Sequence, residues 1–141
     1  MISTTADAIE AALGMRRWAV VGATPDAHRP SAFVPQYMAS LGYEIVPVNP
    51  NYSEIFRRRC YHDLASIEDP VDVVDMFRRS SLVGPHVDEA IACGAKAVWM
   101  QVGVIDDDAA QRALDAGLVV VMDRCPKVEI PRSRSALRHP A

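Results

Sequence analysis

Arg29 and Arg78 are the residues of this chain best suited to chemistry, because each follows closely on an apolar run that reads as a strand. A guanidinium presents a planar fork of donors and stays charged, so it suits phosphate. Arg29 lies in a polar loop between the run Trp18-Ala19-Val20-Val21 and a helix start at Pro30-Ser31. Gly22 ends the run, and glycine lets a ligand or another backbone come close. Strand, glycine turn and helix N-terminus together gather unpaired N–H groups and the positive end of a helix dipole at one spot. The expectation is an anion site, with Ser31 as the helix cap.

Three further strand ends belong with it. They read Val48-Asn49-Pro50, Phe77-Arg78-Arg79-Ser80 and Gln101-Val102-Gly103, beside Gly22-Ala23-Thr24 of the first. This set offers cations, amides, hydroxyls and one aromatic ring. Asn49-Pro50 can flank a base or ribose, and the Gln101 amide can read a ligand or cap its loop. The set holds no nucleophile–base pair and no carboxylate pair. A nicotinamide dinucleotide site is the obvious alternative, and with it a small nucleotide-dependent oxidoreductase. The residues argue against it. Gly22-Ala23-Thr24-Pro25-Asp26-Ala27 keeps only the first glycine of GxGxxG. Asn49 stands where an acid would hold the ribose, and Glu44 lies at the wrong end of its strand. A phosphorylated nucleotide without that acid requirement fits better. Cys60, Cys93 and Cys125 form no CxxC and no zinc spacing, so no metal site is expected. Cys93 reads as a small buried hydrophobe.

The elements that must hold these tips follow from periodicity. Residues 4–13 read as a helix on one edge, capped by Thr4 or Thr5. Strands are expected at 18–21, 43–48, 71–77, 97–100 and 118–122, the third of them central or next to central. Helices follow from Ser31, from Leu82 to Cys93 and from Asp106, with one short helical turn at 64–67. Alternation of strands and helices predicts an α/β, three-layer, doubly wound and Rossmann-like fold with a five-stranded parallel sheet. The expected strand order is 3-2-1-4-5, with the crevice between strands one and four.

Composition narrows the partners. The 141 residues make one domain, expected over 1–132, with 133–141 as a flexible tail. A net charge of −3 argues against general nucleic-acid or membrane-surface binding. No apolar run approaches a membrane span and no signal core opens the chain, so a cytoplasmic location is expected. Monomer or homodimer is left open.

The blocks Val20-Val21-Gly22-Ala23-Thr24, Arg29-Pro30-Ser31, Pro47-Val48-Asn49-Pro50, Phe77-Arg78-Arg79-Ser80, Trp99-Met100-Gln101 and Met122-Asp123-Arg124-Cys125 carry a resemblance. From about Trp18 to Arg132 the chain resembles the small stand-alone coenzyme A (CoA)-binding proteins, similar to the CoA-binding domain of the succinyl-CoA synthetase alpha chain. The resemblance implies CoA or acyl-CoA as ligand. It implies contacts at Gly22, Ala23, Thr24, Arg29, Pro30, Ser31, Val48, Asn49, Pro50, Phe77, Arg78, Gln101, Val102 and Gly103, and no catalysis of its own. A CoA-sensing regulator acting through a protein partner is the further alternative. Two departures stand out: Arg57 where relatives often carry Gly, and Ser81 where they often carry an acid. Cys125, beside Arg124 and Lys127, is a candidate for a mixed disulfide with CoA.

Overall fold

Five apolar runs build one parallel sheet. They are β1 (Arg17–Val21), β2 (Glu44–Val48), β5 (Val73–Met76), β6 (Ala97–Met100) and β7 (Val119–Val121). Two two-residue strands, β3 (Glu54–Ile55) and β4 (Arg58–Arg59), form a separate antiparallel hairpin. The computed structural model describes residues 2–138.

Alternation along the strands sorts side chains to two faces. Trp18, Val20, Val73 and Trp99 pack beneath α1 (Ala6–Leu13), α2 (Pro30–Ser40) and the short α5 (Pro126–Glu129). Ala19, Val21, Val74, Met76 and Val98 pack beneath α3 (Ser80–Ala92) and α4 (Asp107–Asp115). This is the three-layer, doubly wound α/β fold that alternation implied. Trp18 and Trp99 are fully buried and lie with ring centroids 5.5 Å apart. α1 packs against the edge strand β7, capped by the Thr5 hydroxyl, which accepts from Ala8 N. Thr4 instead ties its hydroxyl to the backbone of Met122.

The strand order corrects the expectation. The sheet runs β2-β1-β5-β6-β7, so the five strands stand 2-1-3-4-5 rather than 3-2-1-4-5. β5 is buried at every position, which needs a neighbour on each side. β2 carries Pro47, which lacks an N–H for a second ladder and suits the edge. The reversal of chain direction therefore falls between β1 and β5, and the crevice opens there.

Other differences are local. The hairpin at 54–59 was not foreseen. Its turn residues Phe56 and Arg57 have φ of 57° and 59°, the pattern of a type I′ turn. Cys93 is exposed at the end of α3 rather than buried. The stretch expected to fray is docked as far as Leu137. Ser133 and Ala136 are buried, and the Glu10 carboxylate accepts from the N–H groups of Arg134 and Ser135. The hydroxyl of buried Tyr43 donates to Leu13 O and accepts from Leu137 N. Residues 139–141 of the expected tail lie outside the described residues. Among the described residues, no helix is long and apolar enough to cross a membrane.

Candidate functional site

Gly22 is the pivot of the crevice. Its N–H donates to Val48 O of β2, and the Phe77 N–H beyond β5 donates to Val21 O. Its φ is +86°, and a Cβ there would stand 2.6 Å from Phe77 O. Only glycine meets both conditions. The tips of β1, β2 and β5 are thus drawn together by backbone contacts alone.

Beyond Gly22 the loop leads into α2. The cap expected at Ser31 is not formed: the helix begins at Pro30, and Arg29 is the N-cap residue without a side-chain bond. Pro30 is preset for the first helical position, which moves the start one residue earlier. Ser31 is buried inside the first turn. Pro35, inside α2, has no N–H for the Ser31 carbonyl. Thr24 N donates to that carbonyl instead, at 3.4 Å, and so ties the loop to the helix. α3 starts in the same manner, with Arg79 as an uncapped N-cap and no acid in its first turn. α1 and α4, away from the crevice, are capped by Thr5 and Asp106 and carry acids in their first turns. Free amides and a positive dipole end are thus left at the starts of α2 and α3 and neutralised at α1 and α4.

Two chambers flank the reversal point and share Arg29, Phe77, Arg78 and Arg79. Among the described residues, none of these three arginines has an ion-pair partner; the ion pairs lie elsewhere. The first chamber, about 510 Å³, faces α3 and the tip of β2. Gly22, Val48, Asn49 and Pro50 line it, with Asn51, His62, Asp63, Leu64, Leu82 and His86. The Asn49 amide is bound at both ends: Nδ2 donates to Ala23 O and Oδ1 accepts from Asn51 N, each at 2.9 Å. The second chamber, about 500 Å³, faces α2 and is more apolar. Pro30, Ser31, Phe33, Val34, Gln101, Val102, Gly103, Val104 and Cys125 line it. Val102 is 66 % exposed at its lip. Gly103 is held there by Asp123 Oδ1, which accepts its N–H, while the Ser80 hydroxyl accepts from Ile105 N.

Twelve of the fourteen expected residues therefore line the crevice. Ala23 and Thr24 do not: Ala23 is buried in the core, and Thr24 bonds its own loop through Ser31 O and Asp26 N. Arg79 was in view only as part of a strand end, although it belongs to both chambers. His62, Asp63 and Leu64 reach the first chamber from the segment after the hairpin, which carried no sequence signal for it.

Beneath the crevice lies Asp75, fully buried in β5. Gln101 Nε2 donates to its Oδ1 at 2.6 Å, while Oδ2 has no partner among the described residues. Burial pushes this carboxyl up to about 7, against the bonds from Gln101 and the Met76 backbone.

Residues 16–131 match the family described as the CoA binding domain. The chain belongs to this family. It is 36 % identical over 113 residues to YneT of Bacillus subtilis (strain 168), a protein of uncharacterised function, covering 80 % of this chain and 84 % of that one. It superposes on a hypothetical protein from Pyrococcus horikoshii OT3 with a TM-score of 0.85 and 35 % identity, over 94 % of this chain and 98 % of the other. It is also 28 % identical over 80 residues to the ADP-forming acetate–CoA ligase of Methanocaldococcus jannaschii. That match spans 57 % of this chain but 11 % of the ligase.

Proposed function

We propose that this protein binds CoA, or an acyl-CoA, in the crevice above the β1–β5 reversal and does not transform it. The observation that carries the reading is the shared ridge of Arg29, Arg78 and Arg79 between two chambers of unlike character. CoA has the same three parts. Its pyrophosphate suits the unpaired guanidinium groups and the uncapped starts of α2 and α3. Its adenosine, with the 3′-phosphate, suits the polar first chamber. Its pantetheine arm suits the apolar second chamber. The family, and the part of the acetate–CoA ligase that this chain resembles, support the same ligand. Binding without catalysis is favoured by the layout: the Cys125 thiol lines one chamber and the His62 and His86 imidazoles the other. A nucleophile and its base need hydrogen-bond reach of each other.

Thermal unfolding with added ligand tests this. CoA at a hundred times its dissociation constant should stabilise the fold by about 2.7 kcal/mol, which is roughly 8 °C for a domain of this size. NAD and NADP should shift the midpoint far less, and Arg29→Ala should shrink the CoA shift. An equal response to NAD, or none to CoA, removes the reading.

A further inference from the structure

Gln101 faces two ways. Its Nε2 is turned inward to Asp75 Oδ1, and it lines the second chamber. Among the described residues its Oε1 has no partner, yet Asp75 Oδ2 is the only fully enclosed side-chain nitrogen or oxygen there without one. Gln101 Oε1 therefore keeps contact with the open chamber. An ionised carboxylate only accepts, so it dictates which end of the amide points inward.

We infer that Asp75 is a positioning residue of the crevice: it locks the Gln101 amide with nitrogen inward and oxygen outward, so that the second chamber offers an acceptor to a hydrogen-bond donor on the ligand's arm. This rests on the CoA reading. The pantetheine arm carries two amide N–H groups and an S–H, and any of these is a donor of the required kind.

Protonation reverses the arrangement. A proton on Oδ2 would have no acceptor, since that oxygen has no neighbour to receive it. The proton goes instead to Oδ1 and is shared with Gln101 Oε1, which turns the NH₂ towards the chamber. The chamber then meets the ligand's donor with a donor. The changeover falls near pH 7, where burial places the Asp75 carboxyl. On the same face of the sheet, α1 carries Asp7 and Glu10, α2 carries Tyr37, and α5 carries Lys127 and Glu129, with Cys125 ahead of it and Tyr43 ahead of β2. Arg29 and Arg78 stand at the crevice, and the strands beside Asp75 place Val20 and Trp99 against it. None of these adds a charge effect at Asp75; burial, Gln101 and the Met76 backbone account for its shift.

The test is titration calorimetry of the full chain with CoA and with adenosine 3′,5′-bisphosphate, which lacks the arm, from about pH 6 to about pH 8. The 3′-phosphate is common to both ligands, but the 5′-phosphate of the bisphosphate is a monoester that also takes a proton at about pH 6. The readout is therefore the ratio of affinities in the unaltered protein divided by that in Asp75→Asn, which cancels both ionisations. The expected result is a quotient about fivefold smaller at the acid end, the worth of one hydrogen bond. Asp75→Asn keeps an acceptor for Gln101 Nε2 but cannot titrate, so its ratio carries only the ionisation of the ligands. Acetyl-CoA in place of CoA locates the donor: a pH-dependent quotient that persists assigns it to an amide N–H, and one that vanishes assigns it to the thiol. A quotient that does not change with pH overturns the inference while CoA binding stands. Failure of both ligands to bind at any pH overturns the CoA reading and the inference with it.

Discussion

Replacing Asp75 by Asn should change how stability depends on pH, by an amount the structure fixes. Asp75 is 0 % exposed and its carboxyl is raised from the usual 3.8 to about 7. The folded state thus holds the proton more tightly than the unfolded chain does. Below about pH 4 both states are protonated and the residue costs nothing. Between about pH 4 and about pH 7 the unfolded chain loses its proton first, so unfolding is increasingly favoured. Above about pH 7 the folded state ionises too, and the cost stops growing. The interval of about three pH units, at about 1.36 kcal/mol each, comes to about 4 kcal/mol.

Urea unfolding of both proteins at several pH values measures it. The other carboxylates titrate alike in the two chains and cancel in the difference. Glu10 and Asp63, both held below the usual range by hydrogen bonds led by Ser133 and Ser66 respectively, are among them. The Asn amide adds a buried donor where Oδ2 has no partner, a cost that does not vary with pH. The slope is therefore the readout. Stability of the unaltered protein minus that of Asp75→Asn should fall by about 4 kcal/mol between about pH 4 and about pH 8. Parallel curves would refute the assignment of a buried, titrating carboxyl. Carbon NMR of the Asp75 carboxyl gives the same midpoint without any variant.

Arg57→Gly should stabilise the fold by about 1 kcal/mol, since Arg57 holds a φ of 59° that costs a side-chain-bearing residue roughly that much; an unchanged urea midpoint at constant slope would contradict it. Gly22→Ala should cost at least about 2 kcal/mol, from its φ and the 2.6 Å approach to Phe77 O, and should abolish the CoA shift; a variant of normal stability would show that the β1–β5 junction yields. Tyr43→Phe leaves Leu137 N and Leu13 O without their hydroxyl partner and should cost about 1–3 kcal/mol in urea unfolding; no loss would mean that the 133–137 segment contributes nothing.

Fold class was legible because it needs only the alternation of apolar runs and helical periods. Strand order was not, because a run reports how buried a strand is and not which strand lies beside it. Yet β5, buried throughout, and Pro47 in β2 already bore on which strand takes the edge. The hairpin at 54–59 escaped notice because two-residue strands have no period and its turn lacks the usual glycine. Docking of 133–137 depends on Glu10 and Tyr43, more than 90 residues away along the chain. The crevice residues were legible for a different reason. In a parallel sheet every strand ends at the same edge, so the tips can be gathered without knowing their order. The contributions of His62, Asp63 and Leu64 depend on a loop path that the hairpin sets, and so they stayed hidden. Asp75 sits inside an apolar run, and such a run signals a strand and nothing more.

The places where local rules fail point to the same conclusion as the family. α1 and α4 have side-chain caps and first-turn acids; α2 and α3, which start at the crevice, have neither, and α5, which follows the chamber residue Cys125, has a first-turn acid but no side-chain cap. Leaving a cap out costs a helix about 1 kcal/mol. Among the described residues Arg29, Arg78 and Arg79 lack ion-pair partners, and Asp75 keeps an orphaned oxygen in the core beneath them. Each lapse alone is a small defect. Three kinds of lapse converging on one strand reversal, in a chain that caps the starts of α1 and α4, are what a site leaves when a ligand is meant to complete it. A bound pyrophosphate would answer the free helix starts and the guanidinium groups together, and an arm donor would answer Gln101. Nothing of that kind is needed at the opposite edge of the sheet. There the loops close on their own groups: Asp72 accepts from Arg17 N and pairs with Lys96, and the Arg17 guanidinium donates to the carbonyls of Asp69 and Pro70.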